Sequence, residues 1–438
     1  MPCAMLLGMP MATPASAQRG FLFDLRVLEL ADHKGEFLGR LLAGAGADLL
    51  KIEPPQGSPT RAIGPFYEDK PDPERSLHFW HYNFGKRGIS LDIAKQEGAA
   101  LLKRRAARSD ILIETFAPGY MASLGLDYAA LQAVNPSLIY VSITPFGQTG
   151  PWRDWRSSDL VHLALGGVMM NCGYDPQPTG DYDLPPIAPQ MWQATHIACN
   201  QANIAVLGAL LYRERTGKGQ HIDVSMHQAV SCNTEADVPY EVYGRIPLKR
   251  QTARHALPAV NAPTLAITKD GRYLHVGAYN TNMRGETGGH RLIVELLEKH
   301  KSADDLGELY RKDPASLQSP KVARHLNDVM RRWVAAYKFN SGIWEEGQRS
   351  RLHWAPIRRP EENLDDPHWQ ARHTFTQVYH KELGRTLPYI AAPWMTETCP
   401  PRHGPRAPSL GEHNAQVYGR ELGMTKAQIA SLRRRGII

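Results

Sequence analysis

Three short segments of this 438-residue chain carry residues that could do chemistry beside a strand or a helix end. Lys86 and Arg87 precede the apolar run at 88–92, where basic side chains could meet phosphates or simply be solvated charges at a strand end. Residues 146–151 form a turn after another apolar run, and open α/β sheets bind ligands beyond the carboxyl ends of their strands. Residues 213–220 end a long helix with a glycine cap.

The sequence lacks several motifs that identify common enzyme and metal-binding classes. It contains no H-E-x-x-H, EF-hand, Walker A or G-x-S-x-G motif. The glycines between residues 35 and 46 do not spell G-x-G-x-x-G, which argues against a nicotinamide enzyme. His78 and His81 lie in an aromatic segment and are expected to pack rather than bind a metal. We therefore expect no metal cofactor.

Composition excludes several classes of protein. The chain is 42% hydrophobic and 22% charged, and no apolar run reaches the roughly 18–20 residues of a membrane span. Lys plus Arg exceed Asp plus Glu by 51 − 44 = 7, which suits anionic ligands, but the basic residues are too scattered to predict nucleic-acid binding. The five cysteines are far apart and form no C-x-x-C pair, as expected in a reducing cytoplasm.

The three segments are positioned by predicted strands and helices that alternate along the sequence. Near-continuous apolar runs at 26–30, 48–53, 88–92, 110–114, 138–143 and 221–225 predict strands, with helices between most of them. This pattern favours a doubly wound, Rossmann-like parallel sheet. A helix over 194–215 is apolar nearly all round, which predicts burial in a core or an interface.

We expect a large α/β domain and a small α+β domain. Residues 1–19 are interpreted as a disordered extension, 20–244 as the first part of the large domain and 245–265 as a linker. Residues 266–350 are expected to form the small domain, and 351–438 to return to the large one.

The order and separation of these segments resemble the class III CoA-transferases, a superfamily that includes carnitine and formyl-CoA transferases, bile-acid CoA-transferase and α-methylacyl-CoA racemase. Residues 44–55 (GAGADLLKIEPP) resemble the first βαβ signature of the family, and residues 114–119 (ETFAPG) resemble its E-N-F-x-P-G segment. Residues 410–413 (LGEH) match its closing motif, so the resemblance covers about 22–438.

The resemblance implies an interlocked dimer and a reaction through a mixed anhydride. In the family an aspartate attacks the acyl-CoA thioester, and its anhydride stays reactive toward a thiolate. A count back without gaps from residues 216–220 places this aspartate at Thr195, beside Ala194 and His196, which are not carboxylates either. No base adjacent to Thr195 is evident in the sequence, and a threonine ester is a far poorer acyl donor than an anhydride. The family's route is therefore expected to be closed at this position.

Other single residues of this chain match functional positions of the family. Asp159 matches an acid that shapes the active site. The expected CoA-binding residues are His33 near the thioester, Leu91 in the adenine pocket, Arg156 at the phosphates, and Lys86, Arg87, Thr115 and Phe116. Ser123 replaces a family arginine, which weakens the expected grip on the adenine phosphate, and Ser158 replaces the histidine of racemase members.

Three functions fit these residues. The first is the aspartate-less subunit of a hetero-oligomeric CoA-transferase, such as benzylsuccinate CoA-transferase, with a paralogous partner that supplies the nucleophile. The second is a self-sufficient CoA-transferase, or an acyl-CoA isomerase or racemase, that uses another acid such as Asp159, with Asp181 or Asp183 as less favoured choices. The third is a non-catalytic CoA-binding or assembly protein. The expected ligands are a CoA thioester and a carboxylic acid.

Overall fold

The structure is a computed structural model that describes residues 19–234, 237–277, 288–401 and 404–438. Two compact units divide the chain. The first contains the described residues up to Gly166, Met191–Asn233 and Pro367–Ile438, and the second contains Gly167–Gln190 and Thr234–Asp366. The predicted extension at 1–19 lies outside the described residues except for Arg19.

The first unit is built on a six-stranded parallel sheet whose strands are β1 Arg26–Leu30, β2 Asp48–Glu53, β3 Arg87–Ser90, β4 Ile111–Glu114, β5 Ile139–Thr144 and β6 His221–Ser225. Every residue of β4 and β5 is buried, as expected for strands covered on both faces. The predicted α/β fold class is confirmed.

Helices connect and cover these strands. They are α1 Glu36–Gly44, α2 Leu77–Asn83, α3 Gln96–Ala106, α4 Tyr120–Ser123, α5 Tyr128–Gln132, α6 Asp159–Leu165, α7 Gln193–Thr216 and α8 Met226–Ser231. Short 3₁₀ turns lie at Pro59–Ala62 and Tyr67–Asp69. The apolar side chains of α3 and α5 join the core with residues from five strands of the sheet.

The strand order is β3-β2-β1-β4-β5-β6. Strands β1 to β3 are therefore added toward one edge of the sheet, and strands β4 to β6 toward the other. A crevice forms between β1 and β4, at the carboxyl ends of the strands. The segments that follow β1, β4 and β5 meet at this point, and they carry most of the site residues expected from the sequence.

The long helix α7 confirms the sequence prediction within one residue at each end. It ends at Gly217, whose φ of 71° lies in the left-handed region that glycine adopts without strain. One face of α7 is buried, with Ala194, Thr195 and Ala198 at 2% exposure or less. Apolar residues of the opposite face, including Ile204 and Leu211, are exposed.

The second unit is a smaller α+β body. It contains α9 Asp237–Pro239, β7 Lys249–Gln251, β8 Arg254–Leu257, β9 Leu265–Ile267, β10 Tyr273–Gly277, α10 Gly288–Lys299, α11 Leu306–Lys312, α12 Pro320–Ala335, α13 Ile343–Arg349 and β11 His353–Pro356. Strands β9, β10 and β11 form an antiparallel sheet, and their buried residues share a core with α10, α11, α12 and α13.

The predicted linker at 245–265 is not irregular throughout. It contains the antiparallel pair β7 and β8, and the whole segment belongs to the second unit together with the loop before Met191. Three-residue and four-residue strands give too short an alternation to stand out in a segment rich in proline and arginine.

The chain then returns to the first unit, where it forms α14 Pro367–Ala371, the antiparallel strands β12 Phe375–His380 and β13 Arg385–Ile390, and the final helix α15 Lys426–Arg434. The remaining 3₁₀ turns are Val168–Asn171, Pro314–Gln318 and Pro360–Asp365, and π turns lie at Tyr240–Gly244 and Ala415–Glu421. No helix within the described ranges is long and apolar enough to cross a bilayer.

Candidate active site

A cavity of about 440 Å³ lies where the loops after β1, β4 and β5 meet. The loop after β1 contributes His33 and Lys34, and residues 115–118 follow β4. Residues 153–158 lead from β5 into α6, and Thr195 reaches the cavity from the start of α7. The sheet topology thus brings His33 and Thr195, which are 195 − 33 = 162 residues apart, to one cavity.

Thr195 is buried, with 2% of its surface exposed, and it is hydrogen-bonded to Asp159. Its backbone N–H donates to Oδ1 of Asp159 at 3.0 Å, and its hydroxyl donates to the same oxygen at 3.3 Å. Thr195 is the third residue of α7, where backbone N–H groups have no partner within the helix. The residue before the helix, Trp192, makes no side-chain cap, so the Asp159 carboxylate caps α7 from another element.

This contact corrects one expectation from the sequence. A carboxylate does lie beside the Thr195 hydroxyl, although no neighbour in the sequence could supply one. Asp159 is 36 residues away and comes from the first turn of α6. Its second oxygen, Oδ2, is buried and has no hydrogen-bond partner among the described residues. One oxygen of Asp159 is thus committed to α7, and the other is closed to solvent without a partner among those residues.

The wall formed by the loop after β1 is aromatic and charged. The ring of His33 lies 5.2 Å from that of Trp192, and burial lowers the pKa of His33, so the ring is neutral at pH 7. Asp32 accepts a hydrogen bond from the Thr115 hydroxyl at 3.0 Å and pairs with Lys34. Burial alone would raise the pKa of Asp32, but the Lys34 ammonium outweighs it and holds the pKa below its usual value. Thr115 is thereby fixed between the ends of β1 and β4.

The basic side chains at the cavity suit a phosphorylated ligand. The predicted Arg156 lines it and is exposed. Lys34 and Arg153 line it as well, although sequence analysis did not select them. Both stand next to segments that were selected, Lys34 beside His33 and Arg153 just after the turn at 146–151, so adjacency was the available signal. Phe116 lies in the same wall, with its ring 4.9 Å from that of Tyr120.

His162 is a further cavity residue that sequence analysis missed. It is fully buried, and neither ring nitrogen has a hydrogen-bond partner among the described residues. Burial, with a smaller contribution from His227, lowers the pKa of His162 to about 4. The neutral ring lies 5.3 Å from the ring of Phe146 and one helical turn after Asp159.

The structure does not bring Lys86, Arg87 or Leu91 to this cavity. Lys86 is buried, and its ammonium donates to Glu29 at 2.7 Å, to the Asn83 amide oxygen at 2.9 Å and to a backbone carbonyl. With all three protons so committed, Lys86 does not present a charge to a phosphate. Arg87 forms ion pairs with two carboxylates, and Leu91 is 3% exposed in the core beside the sheet.

The other acids considered from the sequence lie elsewhere. Asp181 and Asp183 belong to the loop of the second unit, where Asp183 accepts a hydrogen bond from Gln177 at 2.6 Å. Ser158, at the position of the racemase histidine, caps α6 by accepting from the backbone N–H of Val161. Ser123 is the last residue of α4 and lines a shallow depression on the first unit with Lys103.

One carboxyl group beside the site has a raised pKa. Glu114 ends β4 and is 3% exposed, and burial raises its pKa to about 7. Its Oε2 accepts a hydrogen bond from the backbone N–H of Phe116 at 2.8 Å. Protonation of Glu114 is thus coupled to the backbone that presents Phe116 to the cavity.

A parallel sheet of this order, with a cavity at its switch point lined by Lys34, Arg153 and Arg156, is typical of α/β proteins that bind ligands at the carboxyl ends of their strands. The family model of CoA-transferase family III matches residues 22–414, and the chain belongs to that family. The predicted identity as a CoA-transferase chain is thereby confirmed, and CoA thioesters are the substrates of such enzymes.

Named relatives cover nearly the whole chain. It is 32% identical to a succinate–glutarate CoA-transferase of Agrobacterium fabrum, over 90% of this chain and 94% of that protein. It is 29% identical to the subunit BbsE of the succinyl-CoA:(R)-benzylsuccinate CoA-transferase of Thauera aromatica, over 94% and 97%. The crystal structure of a CAIB/BAIF family protein from Brucella suis, 27% identical, matches with a TM-score of 0.75 over 92% of this chain and 99% of that one.

Proposed function

We propose that this chain is the subunit of a hetero-oligomeric class III CoA-transferase that binds a CoA thioester and lacks the nucleophile. The observation that carries the proposal is Thr195. It stands at the expected nucleophile position, is buried at the start of α7, and is held there by Asp159. A partner chain with aspartate at the corresponding position would supply the chemistry.

The reason lies in the two halves of the transfer. A carboxylate oxygen that attacks an acyl-CoA forms a C–O bond as the C–S bond breaks, and the CoA thiolate leaves. The thiolate can then attack the enzyme-side carbonyl of the anhydride, so that the donor acid leaves and the carboxyl group carries CoA as a thioester. The acceptor acid displaces the thiolate to form a second anhydride, and attack of the thiolate on the acceptor's carbonyl gives the new acyl-CoA and regenerates the carboxylate. A threonine hydroxyl would have to lose its proton first, and the ester formed would resist the second step. Thr195 is therefore a retained scaffold position and not a substitute nucleophile.

The exposed face of α7 supports a partner subunit. Four large side chains on this face, at 41–64% exposure, are Ile204, Leu207, Leu211 and Tyr212. A helix that is apolar on several faces is stable in water only if another surface covers it. A paralogue of the same fold is the partner we propose, in line with the subunit status in the name of the Thauera aromatica relative.

The substrates proposed are succinyl-CoA as donor and a carboxylic acid as acceptor, because both named relatives act on succinyl-CoA or succinate. The cavity offers Lys34, Arg153 and Arg156 to the phosphates of CoA. We place the reaction in the cytoplasm, where acyl-CoA pools and reduced cysteines coexist.

The test is co-expression with a paralogue that carries the aspartate, followed by CoA transfer from succinyl-CoA to a panel of acids. The co-purified pair should be active, and the chain alone should not. A Thr195→Asp variant of the chain alone should gain measurable transfer, whereas Thr195→Asn, a neutral variant of the same size, should gain none. Full activity of the wild-type chain alone would refute the proposal.

A second function rests on Asp159. Its unpartnered Oδ2 in the cavity wall is what a nucleophile in a self-sufficient CoA-transferase or acyl-CoA isomerase would need. Incubation with acyl-CoA, trapping with hydroxylamine and peptide mass spectrometry would locate an adduct on Asp159 if this function holds. An unmodified Asp159 after turnover would exclude it, and tight CoA binding without turnover in any combination would favour a binding or assembly role.

A further inference from the structure

A second cavity of about 500 Å³ lies in the first unit and shares no lining residue with the cavity at Thr195. It is bounded by α1, the end of α2, Asn200 of α7, α14 and the segment that follows β13. Most of its surface is apolar, and its large apolar lining side chains are Phe37, Leu41, Phe84, Trp369, Ile390 and Trp394. An apolar cleft of this size is typical of small-molecule sites.

One charged side chain, Arg40 of α1, reaches this apolar wall. Its guanidinium donates to Nε2 of His81 at 2.6 Å and to the backbone carbonyl of Ile390 at 2.9 Å. It also lies 4.9 Å from the centre of the Phe84 ring. Among the residues that the structure describes, no carboxylate lies within ion-pair distance of Arg40.

Arg40 and its partners carry a net positive charge at neutral pH. Burial lowers the pKa of Arg40 to about 10, which leaves it protonated. Burial, followed by the charge of Arg40, lowers the pKa of His81 to about 3, so His81 is neutral and accepts the hydrogen bond. A half-buried cation with only neutral partners is unfavourable compared with the same cation paired to an anion.

A second donor, in a side chain that lines the cavity, is also unused. The indole N–H of Trp394 is buried and has no hydrogen-bond partner within the described ranges. A buried donor without an acceptor costs about 1–3 kcal/mol, so a rotation of the indole that gave this N–H an acceptor would be favourable. The charge of Arg40 in an apolar wall points to one ligand chemistry, an oxygen anion attached to an apolar body.

We propose that this cavity binds a small organic acid, with an aryl or branched alkyl body against the aromatic lining and its carboxylate on Arg40. The site is separate from the proposed CoA-transfer function and does not depend on it. It is nevertheless connected to the active site, because the ring of Phe37 lies 4.3 Å from that of His196, the residue after Thr195. The Tyr82 hydroxyl is also hydrogen-bonded to Nε2 of His196 at 2.7 Å.

The test is isothermal titration calorimetry of the full chain with phenylacetate and with its neutral analogue phenylacetamide. Phenylacetate should bind with a Kd of about 1 mM or tighter, and phenylacetamide about tenfold more weakly or worse. Arg40→Gln should weaken phenylacetate binding by about tenfold or more and abolish the preference for the acid. Because calorimetry requires no turnover, failure here is distinguishable from failure of the proposed CoA transfer.

Two further variants guard against misfolding of Arg40→Gln. Arg104→Gln is the matched control, because Arg104 also donates to a backbone carbonyl but lies on the exposed surface of α3. It should bind phenylacetate as the wild type does. Ala392→Phe keeps Arg40 but fills the cavity, and should lose both ligands. Equal affinity for acid and amide, undiminished binding by either cavity variant, or no binding by the wild type would overturn the proposal.

Discussion

Replacement of Asp159 by alanine tests whether this carboxylate is chiefly the cap of α7. The variant removes the acceptor of two hydrogen bonds from Thr195, at 3.0 and 3.3 Å. Loss of a capping acceptor costs about 1–2 kcal/mol, and loss of a negative charge at a helix N-terminus about 0.3–1 kcal/mol. We therefore expect a loss of about 2 kcal/mol in the stability of the first turn of α7.

Asp159→Asn separates the two contributions, because its amide oxygen still accepts a hydrogen bond while the charge is gone. It should lose only about 0.3–1 kcal/mol. The matched control is Asp154→Ala, which lies in the same cavity wall but is exposed and has a single ion pair with Arg153 at 3.3 Å. Exposed pairs of this kind contribute about 0–1 kcal/mol.

Hydrogen exchange of the α7 amides, followed by mass spectrometry, measures the effect locally. A cost of 2 kcal/mol corresponds to about 30-fold faster exchange for amides at the start of the helix. Asp159→Ala should show this acceleration, Asp159→Asn a smaller one, and Asp154→Ala none. If Asp159→Ala and Asp154→Ala exchange alike, the capping argument is wrong, and the contact with Thr195 contributes nothing to the stability of the helix.

Three other predictions concern buried charge. Glu114, with a pKa near 7 against an ordinary 4.5, keeps a proton on folding that the unfolded chain loses, so stability should fall by about 2.5 kcal/mol from pH 5 to pH 8. Glu114→Gln should flatten that fall in urea unfolding. His162, with a pKa near 4 against 6.5, must stay neutral on folding, so stability should be lost as pH falls from 6.5 to 4, and His162→Phe should reduce this acid loss in melting curves. Lys86→Met should lower the free energy of unfolding in urea by about 3–5 kcal/mol, because it leaves buried Glu29 with one cation fewer. The control Arg87→Met removes a partly exposed ion pair and should lower it by about 1 kcal/mol. Equal losses of stability in the two variants would contradict the argument.

The strands and the location of the site could be predicted from the sequence for physical reasons. Strands buried on both faces are near-continuous apolar runs, so β1, β2, β4 and β5 stand out directly. Their alternation with helices implies a parallel sheet, and such a sheet binds ligands at the carboxyl ends of its strands. His33, Thr115, Phe116, Arg156, Asp159 and Thr195 all line the cavity found there.

Pairings between distant side chains could not be predicted in the same way. Lys86 stands beside Arg87 at the start of β3, and both could be solvated by sequence alone. The structure buries Lys86 among Glu29 and Asn83, while Arg87, the first residue of β3, stays partly exposed. Burial of a charge depends on which partners the fold brings to it, and no local pattern encodes that.

Helix α7 links the site to the proposed assembly. Its first turn positions Thr195 in the cavity, and its buried Cys199 thiol donates to the Lys34 carbonyl at 3.3 Å, which ties the helix to the loop after β1. Sixteen residues beyond Thr195, since 211 − 195 = 16, Leu211 is 59% exposed on the same continuous helix. A rigid helix transmits a constraint along its axis, because its backbone hydrogen bonds resist bending. A partner that covers Leu211 would therefore also fix the orientation of the helix start, and so the position of Thr195 in the cavity.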